Sequence, residues 1–167
     1  HTQSITVDGA TVMVDAASET VKVYLVDSSG KKTLLGDTNA SRRMGWSLEK
    51  IDASRLKLTT GEAGDFNIRN GPGGWEVVPV GVFVSPSSDR IVRLSESGTT
   101  LLASIGEGWP PYTECTITSS VMLSNTSIKG LDVRWMGADD AHVIDSTGKV
   151  VAMLKHKERQ LEKLGTW

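Results

Sequence analysis

Few side chains in this sequence have reactive chemistry, and they are poorly placed to use it. A nucleophilic enzyme needs a nucleophile, a base and an orienting group within hydrogen-bond reach. Cys115 is the one thiol, and it alternates with Thr113 and Ile117, the pattern of a small buried strand residue. His142 could serve as its base, but no local context joins the two. His1, His142, His156 and Cys115 offer no ligand pair at a zinc spacing. Asp139, Asp140 and Asp145 are the densest carboxylates, yet they lack the Asp-x-Asp-x-Asp-Gly order of a calcium loop and read as solvated turn residues. Gly148-Lys149 resembles the end of a phosphate loop only superficially. Val143 stands where that loop needs glycine, and Val150 where it needs Ser or Thr. The residues thus point to no catalytic group, no metal and no cofactor.

The aromatic residues carry more information. Five tryptophans outnumber the two phenylalanines and two tyrosines together. Trp46 and Trp135 sit in alternating apolar runs and are expected in the core. Trp75 and Trp109 lie beside Gly and Pro, with Tyr112 close behind, where an exposed ring could stack on a sugar or a partner. The plainer alternative is that these rings fold back and plug the ends of a sandwich. Trp167 ends the sequence and is given no role.

The elements that must position these residues read as strands. The chain has 167 residues, 38% hydrophobic and 23% charged, which suits a folded protein of one ordinary domain or two small ones. A formal charge of −2 with scattered Lys and Arg gives no basic face for nucleic acid. No run approaches the roughly 20 apolar residues of a membrane helix, and the first ten lack the apolar core of a signal peptide, so a soluble chain is expected. That is compatible with a processed or excised piece of a longer protein. A single cysteine allows no intrachain disulfide.

Short alternating runs separated by Gly, Asp, Asn and Ser recur from Ile5 onward. Val21, Val23 and Leu25 form the clearest strand, and Asp27-Ser28-Ser29-Gly30 predicts a hairpin returning through Thr33 to Leu35. Asp145-Ser146-Thr147-Gly148 repeats that turn. Further runs are expected at Met44 to Leu48, Leu56 to Leu58, Phe66 to Ile68, Ile91 to Leu94, Thr100 to Ile105, Thr113 to Ile117, Val121 to Leu123 and Leu131 to Trp135. Asn70-Gly71-Pro72-Gly73-Gly74 is the strongest punctuation and reads as a long loop or a module boundary. Trp75 to Val84 reads as one apolar strand or two short ones broken at Pro79, which can sit only at an edge or a bulge.

From Val150 to Leu164 Gly and Pro vanish and helix formers take over, which predicts one C-terminal α-helix stopped by Gly165. Val150, Leu154, Leu161 and Leu164, with Lys157 between them, fit a heptad seam for oligomerisation; the same spacing also serves a helix packed on its own sheet.

The expected fold class is therefore mainly β: an antiparallel β-sandwich, or two small β modules at 1–70 and 75–167, with the helix at 150–164. A single domain over 1–167 is the alternative. The Ser-, Thr- and Gly-rich strands and Asp-Ser-Ser-Gly turns resemble the β-structured attachment, fibre or decoration modules of tailed bacteriophages. Val21 to Leu48 is similar in texture to bacterial immunoglobulin-like modules. The resemblance implies a non-enzymatic structural or receptor-binding protein of a virion or cell surface, assembled as a homo-oligomer, above all a trimer, or with other structural proteins. The alternatives are a monomeric carbohydrate-binding module using Trp75, Trp109 and Tyr112 on a surface glycan, and a glycoside hydrolase built on two facing carboxylates.

Overall fold

A computed structural model describes residues 2–157 except 8, 62, 72, 125 and 126, and residue 124 through its backbone alone. The protein is mainly β, with fifteen strands in four antiparallel sheets and one 3-10 turn, Arg42–Met44, among the described residues. None of its helices is long and apolar enough to cross a membrane, among the described residues. The chain divides into two compact units: His1–Val80 with Pro110–Thr113, and Gly81–Trp109 with Glu114–Trp167.

The first unit holds two four-stranded meanders. One consists of β1 (Thr2–Val7), β2 (Ala10–Asp15), β3 (Thr20–Val26) and β4 (Lys32–Ser41). The other consists of β5 (Trp46–Asp52), β6 (Arg55–Thr60), β7 (Gly64–Gly71) and β8 (Gly74–Pro79). Alternation decides the inner faces. Val12, Val14, Val21 and Val23 from the first sheet and Leu56, Leu58, Phe66 and Ile68 from the second are fully buried in one core. Cross-strand pairs such as Val14 with Val23 and Leu58 with Phe66 fix the register, because a slip of one residue would turn each of them outward. β8 is an edge strand, as Pro79 requires.

The Gly-rich segment expected as a loop or boundary has another role. Gly71 pairs with Gly74 at the end of the β7–β8 ladder, so the segment closes a tight hairpin, and β8 belongs to the first unit. Trp75, read from the sequence both as the first residue of a strand and as a ring beside a loop, is a strand residue that packs against the core. Met44, expected at the start of a strand, lies in the 3-10 turn and is exposed.

The second unit sets a four-stranded sheet, β9 (Val82–Val84), β10 (Arg90–Ser97), β11 (Thr100–Gly108) and β12 (Cys115–Ser124), with a three-stranded one, β13 (Asp132–Trp135), β14 (Asp140–Ile144) and β15 (Val150–Lys155). Leu94, Leu101, Ala103 and Ile105 meet Val133, Ala141, Val143 and Leu154 in its core. Two runs read separately at 113–117 and 121–123 are one strand, β12, which passes a bulge opposite Ile105 and Gly106.

The C-terminal helix is overturned where the structure describes it. Val150 and Leu154 lie in β15, paired with β14, and are not positions on a helical seam. Burial follows a period of two, with Ala152 and Leu154 inward and Met153 71% exposed. Local propensity for a helix loses to the hairpin turn before it and to the ladder and core that the strand completes. Leu161 and Leu164 lie outside the described residues.

That hairpin turn and the one after β3 adopt the same structure. Asp27 Oδ1 accepts from the Ser29 amide at 2.9 Å, the Ser29 hydroxyl at 2.6 Å and the Lys31 amide at 2.9 Å. Asp145 Oδ1 accepts from the Thr147 amide at 2.9 Å, its hydroxyl at 2.6 Å and the Lys149 amide at 3.0 Å. Gly30 and Gly148 both sit at φ +87°, which a side chain would resist. Hydrogen bonds to the charged form, first from the Ser29 and Thr147 side chains, hold both carboxyls below the usual aspartate value.

Candidate functional site

The first unit carries a concavity of about 130 Å³, lined by β4, β7 and β8 residues and by the Pro110–Thr113 segment. Gly36 of β4 helps to form it, because a Cβ there would stand 3.1 Å from Val77 Cβ of β8. The neighbouring Asp37 is held by two neutral donors: the Thr20 hydroxyl at 3.0 Å on Oδ2 and the Asn39 amide at 2.9 Å on Oδ1. Glu76, opposite Arg69 in the β7–β8 ladder, forms an ion pair with it at 3.4 Å. Both are mostly shielded from water.

Aromatic and proline side chains supply the rest of the lining. Trp75 and Tyr112, both partly buried, share the hollow with Pro110 and Pro111. Tyr112 sits at φ +64°, a left-handed conformation that a bulky residue adopts only when its surroundings impose it. Burial raises its phenol pKa, and the charge of Glu76 adds to the effect. The phenol is thus a protonated donor at neutral pH.

Of the three aromatic residues expected to bind ligand, two are therefore brought together. Trp109 does not line the hollow: it follows β11 in the second unit and is 60% exposed. Trp46 and Trp135 pack, partly buried, against the cores of their own units. Nothing in the sequence marked Asp37 or Glu76. Their spacing carries no motif, and only the approach of β4 to β8 sets them beside the rings.

The second unit joins polar groups that the sequence left apart. His156 is 4% exposed at its side chain; its Nδ1 lies 2.9 Å from Thr118 Oγ1 and its Nε2 3.5 Å from Glu107 Oε1. Glu107 also lies 3.4 Å from Arg90, whose Nε donates to Asp139 at 3.0 Å and whose Nη1 bonds Asp89. Desolvation alone would lower the Arg90 pKa, but its bond to Asp139 and the surrounding carboxylate charges outweigh it and raise the value.

Thr118 Oγ1 is within hydrogen-bond reach of the Ile105 carbonyl, at 3.2 Å, as well as of Nδ1, and has one proton to give to either. The group ties β10, β11, β12 and the end of β15 together. Cys115, partly exposed, accepts from Arg93 at 3.6 Å, and His142 stands in the other sheet, paired with Arg134 and Met153. Among the described residues no three His, Cys, Asp or Glu side chains are grouped to hold a metal.

One sheet edge of the second unit has no partner strand among the described residues. β12 is the outer strand of its sheet and pairs with β11 alone among the described residues. Its ten residues include no charge, proline or glycine, and Ile117, Val121 and Met122 on it are exposed.

Comparisons with known proteins return no match: no family model, no curated protein and no solved structure aligns with this chain.

Proposed function

We propose that this chain is a non-enzymatic recognition and assembly module of a virion or cell surface, holding a carbohydrate of its target in the concavity of the first unit. The observation that carries the reading is the convergence of Trp75 and Tyr112 with Asp37 and Glu76 on one hollow. Aromatic faces cover the C–H surface of a sugar, and carboxylates accept its hydroxyls. Titration with a panel of surface glycans, followed by tryptophan fluorescence, tests it. Binding should appear and should weaken at least about tenfold in Trp75→Leu, as expected when an aromatic contact is lost from a small site. Silence across the panel, or binding indifferent to Trp75, would refute it.

Assembly rests on β12 rather than on a helical seam. A long, uncharged edge of hydroxyl and apolar side chains is a template for a strand of another copy, which would meet no like charge along it. Light scattering should give a mass that is a multiple of 17.9 kDa for the intact chain and one chain for Val121→Lys. A monomeric parent overturns the assembly half of the proposal and leaves the recognition half standing.

A further inference from the structure

The polar groups of the concavity restrict which sugars it can hold. Asp37 and Glu76 can only accept hydrogen bonds, so the ligand must bring donors. Glu76 is ion-paired with Arg69, whereas the hydrogen-bond partners of Asp37 are a hydroxyl and an amide, which leave its charge in place. The charged residues that line the hollow are thus these two carboxylates, while Lys22 and Arg69, opposite them in their ladders, are not part of the lining. Trp75 and Tyr112 add π faces, whose quadrupoles attract a cation as well as the apolar face of a ring. The hollow, about 130 Å³, is small, which suits one ring seated at its mouth and not a chain of them.

Building on the recognition proposed above, we infer that the concavity is a site for an amino sugar with a free ammonium group, the ammonium facing Asp37 and the ring lying on Trp75 and Tyr112. Neutral sugars keep the ring contact and lose the charge pairing. Uronic and other acidic sugars are repelled. A lysine side chain offers the same ammonium on a flexible stem without a ring, so stacking distinguishes the two sources.

The experiment is calorimetric titration of the intact chain with glucosamine, N-acetylglucosamine, glucose, glucuronate and a lysine capped at both backbone ends. Glucosamine should bind about tenfold tighter than glucose or N-acetylglucosamine, with glucuronate weakest, a ratio that matches one desolvated cation–π and charge contact. Asp37→Asn should weaken glucosamine more than glucose and bring the two to within about threefold, since the charge is lost while one carbonyl oxygen remains to accept. Glu76→Gln should reduce the preference in the same direction, and circular dichroism should show both variants folded.

Sugars that bind without preference for the amine, or with glucuronate tightest, overturn this inference and leave the recognition proposal intact. Capped lysine binding tighter than glucosamine overturns the sugar in favour of a basic peptide. No binding by any of the five overturns both.

Discussion

Gly106 offers the sharpest test of the second unit, because the ordinary expectation for its replacement has the opposite sign. Exchanging an unconstrained glycine for alanine stabilises a protein by about 0.4–1 kcal/mol, by restricting the unfolded chain. Gly106 has no positive φ to forbid the exchange. It lies, however, at the bulge where β11 meets β12, and an alanine Cβ would stand 2.8 Å from the Ile117 Cα and still closer to the Thr116 carbonyl oxygen. Carbon atoms in contact keep about 3.5–4.0 Å, so β12 must draw back by about 1 Å. Ladder hydrogen bonds near 2.9 Å do not survive that displacement. Losing two or three of them, at about 1 kcal/mol each, with the strain that remains, gives a destabilisation of about 2–4 kcal/mol. Urea unfolding monitored by circular dichroism measures it. Gly106→Ala within about 0.5 kcal/mol of the parent, the range of a neutral surface change, would refute the close approach of the two strands.

The strand assignment of β15 predicts that neighbours behave oppositely. Leu154→Ala should cost about 2–5 kcal/mol and Met153→Ala less than about 0.5, measured by the same unfolding; equal costs would argue against a strand there. Arg90→Met should destabilise by about 2 kcal/mol, because it leaves Asp89, Glu107 and Asp139 without their shared cation, and Arg90→Lys should recover only part, since an ammonium cannot bridge several sides; full recovery by lysine would show that charge alone matters. The two aspartate turns predict a pH effect. Both carboxyls have folded pKa values below their unfolded ones, so their stabilisation is present above about pH 4 and is lost as the pH falls through the lower folded values. The double variant Asp27→Asn, Asp145→Asn should thus lose less stability than the parent on acidification through that window, and parallel pH curves would contradict the turn geometry.

Recognition of a sugar by this fold would use its scaffold in a specific way. The hollow opens where the edge strands β4 and β8 approach, so backbone ladders hold Asp37, Trp75 and Glu76 in place before any ligand arrives. Such preorganisation limits the ordering cost that a weak, single-ring ligand could not otherwise offset. Tyr112 completes the site from a segment whose backbone is fixed in an uncommon conformation.

The strands of both units were legible in the sequence because burial on one face imposes a period of two, as Val21–Val23, Leu56–Leu58 and Phe66–Ile68 record directly. The Asp-Ser-Ser-Gly and Asp-Ser-Thr-Gly turns were legible for a similar reason. Each satisfies itself within five residues, through an aspartate that caps its own amides and a glycine that accepts positive φ. The missing amide of Pro79 limited its strand to an edge or a bulge, and the sheet order puts β8 at the edge. Local information failed where the deciding interactions are distant. Ala152 to Lys155 are good helix formers, and the ladder to β14 and the core contact of Leu154 make them a strand. Gly71 to Gly74 marks a break in the chain in either reading, but whether it ends a module or closes a hairpin depends on the strand it returns to. Trp75 and Tyr112 were marked by their residue types, whereas their meeting with Asp37 and Glu76, and the tie among Thr118, Glu107, Arg90 and His156, required the sheets to form. A side chain's identity is local, but its neighbours across a sandwich are chosen by the packing of sheets, which no short window of sequence contains.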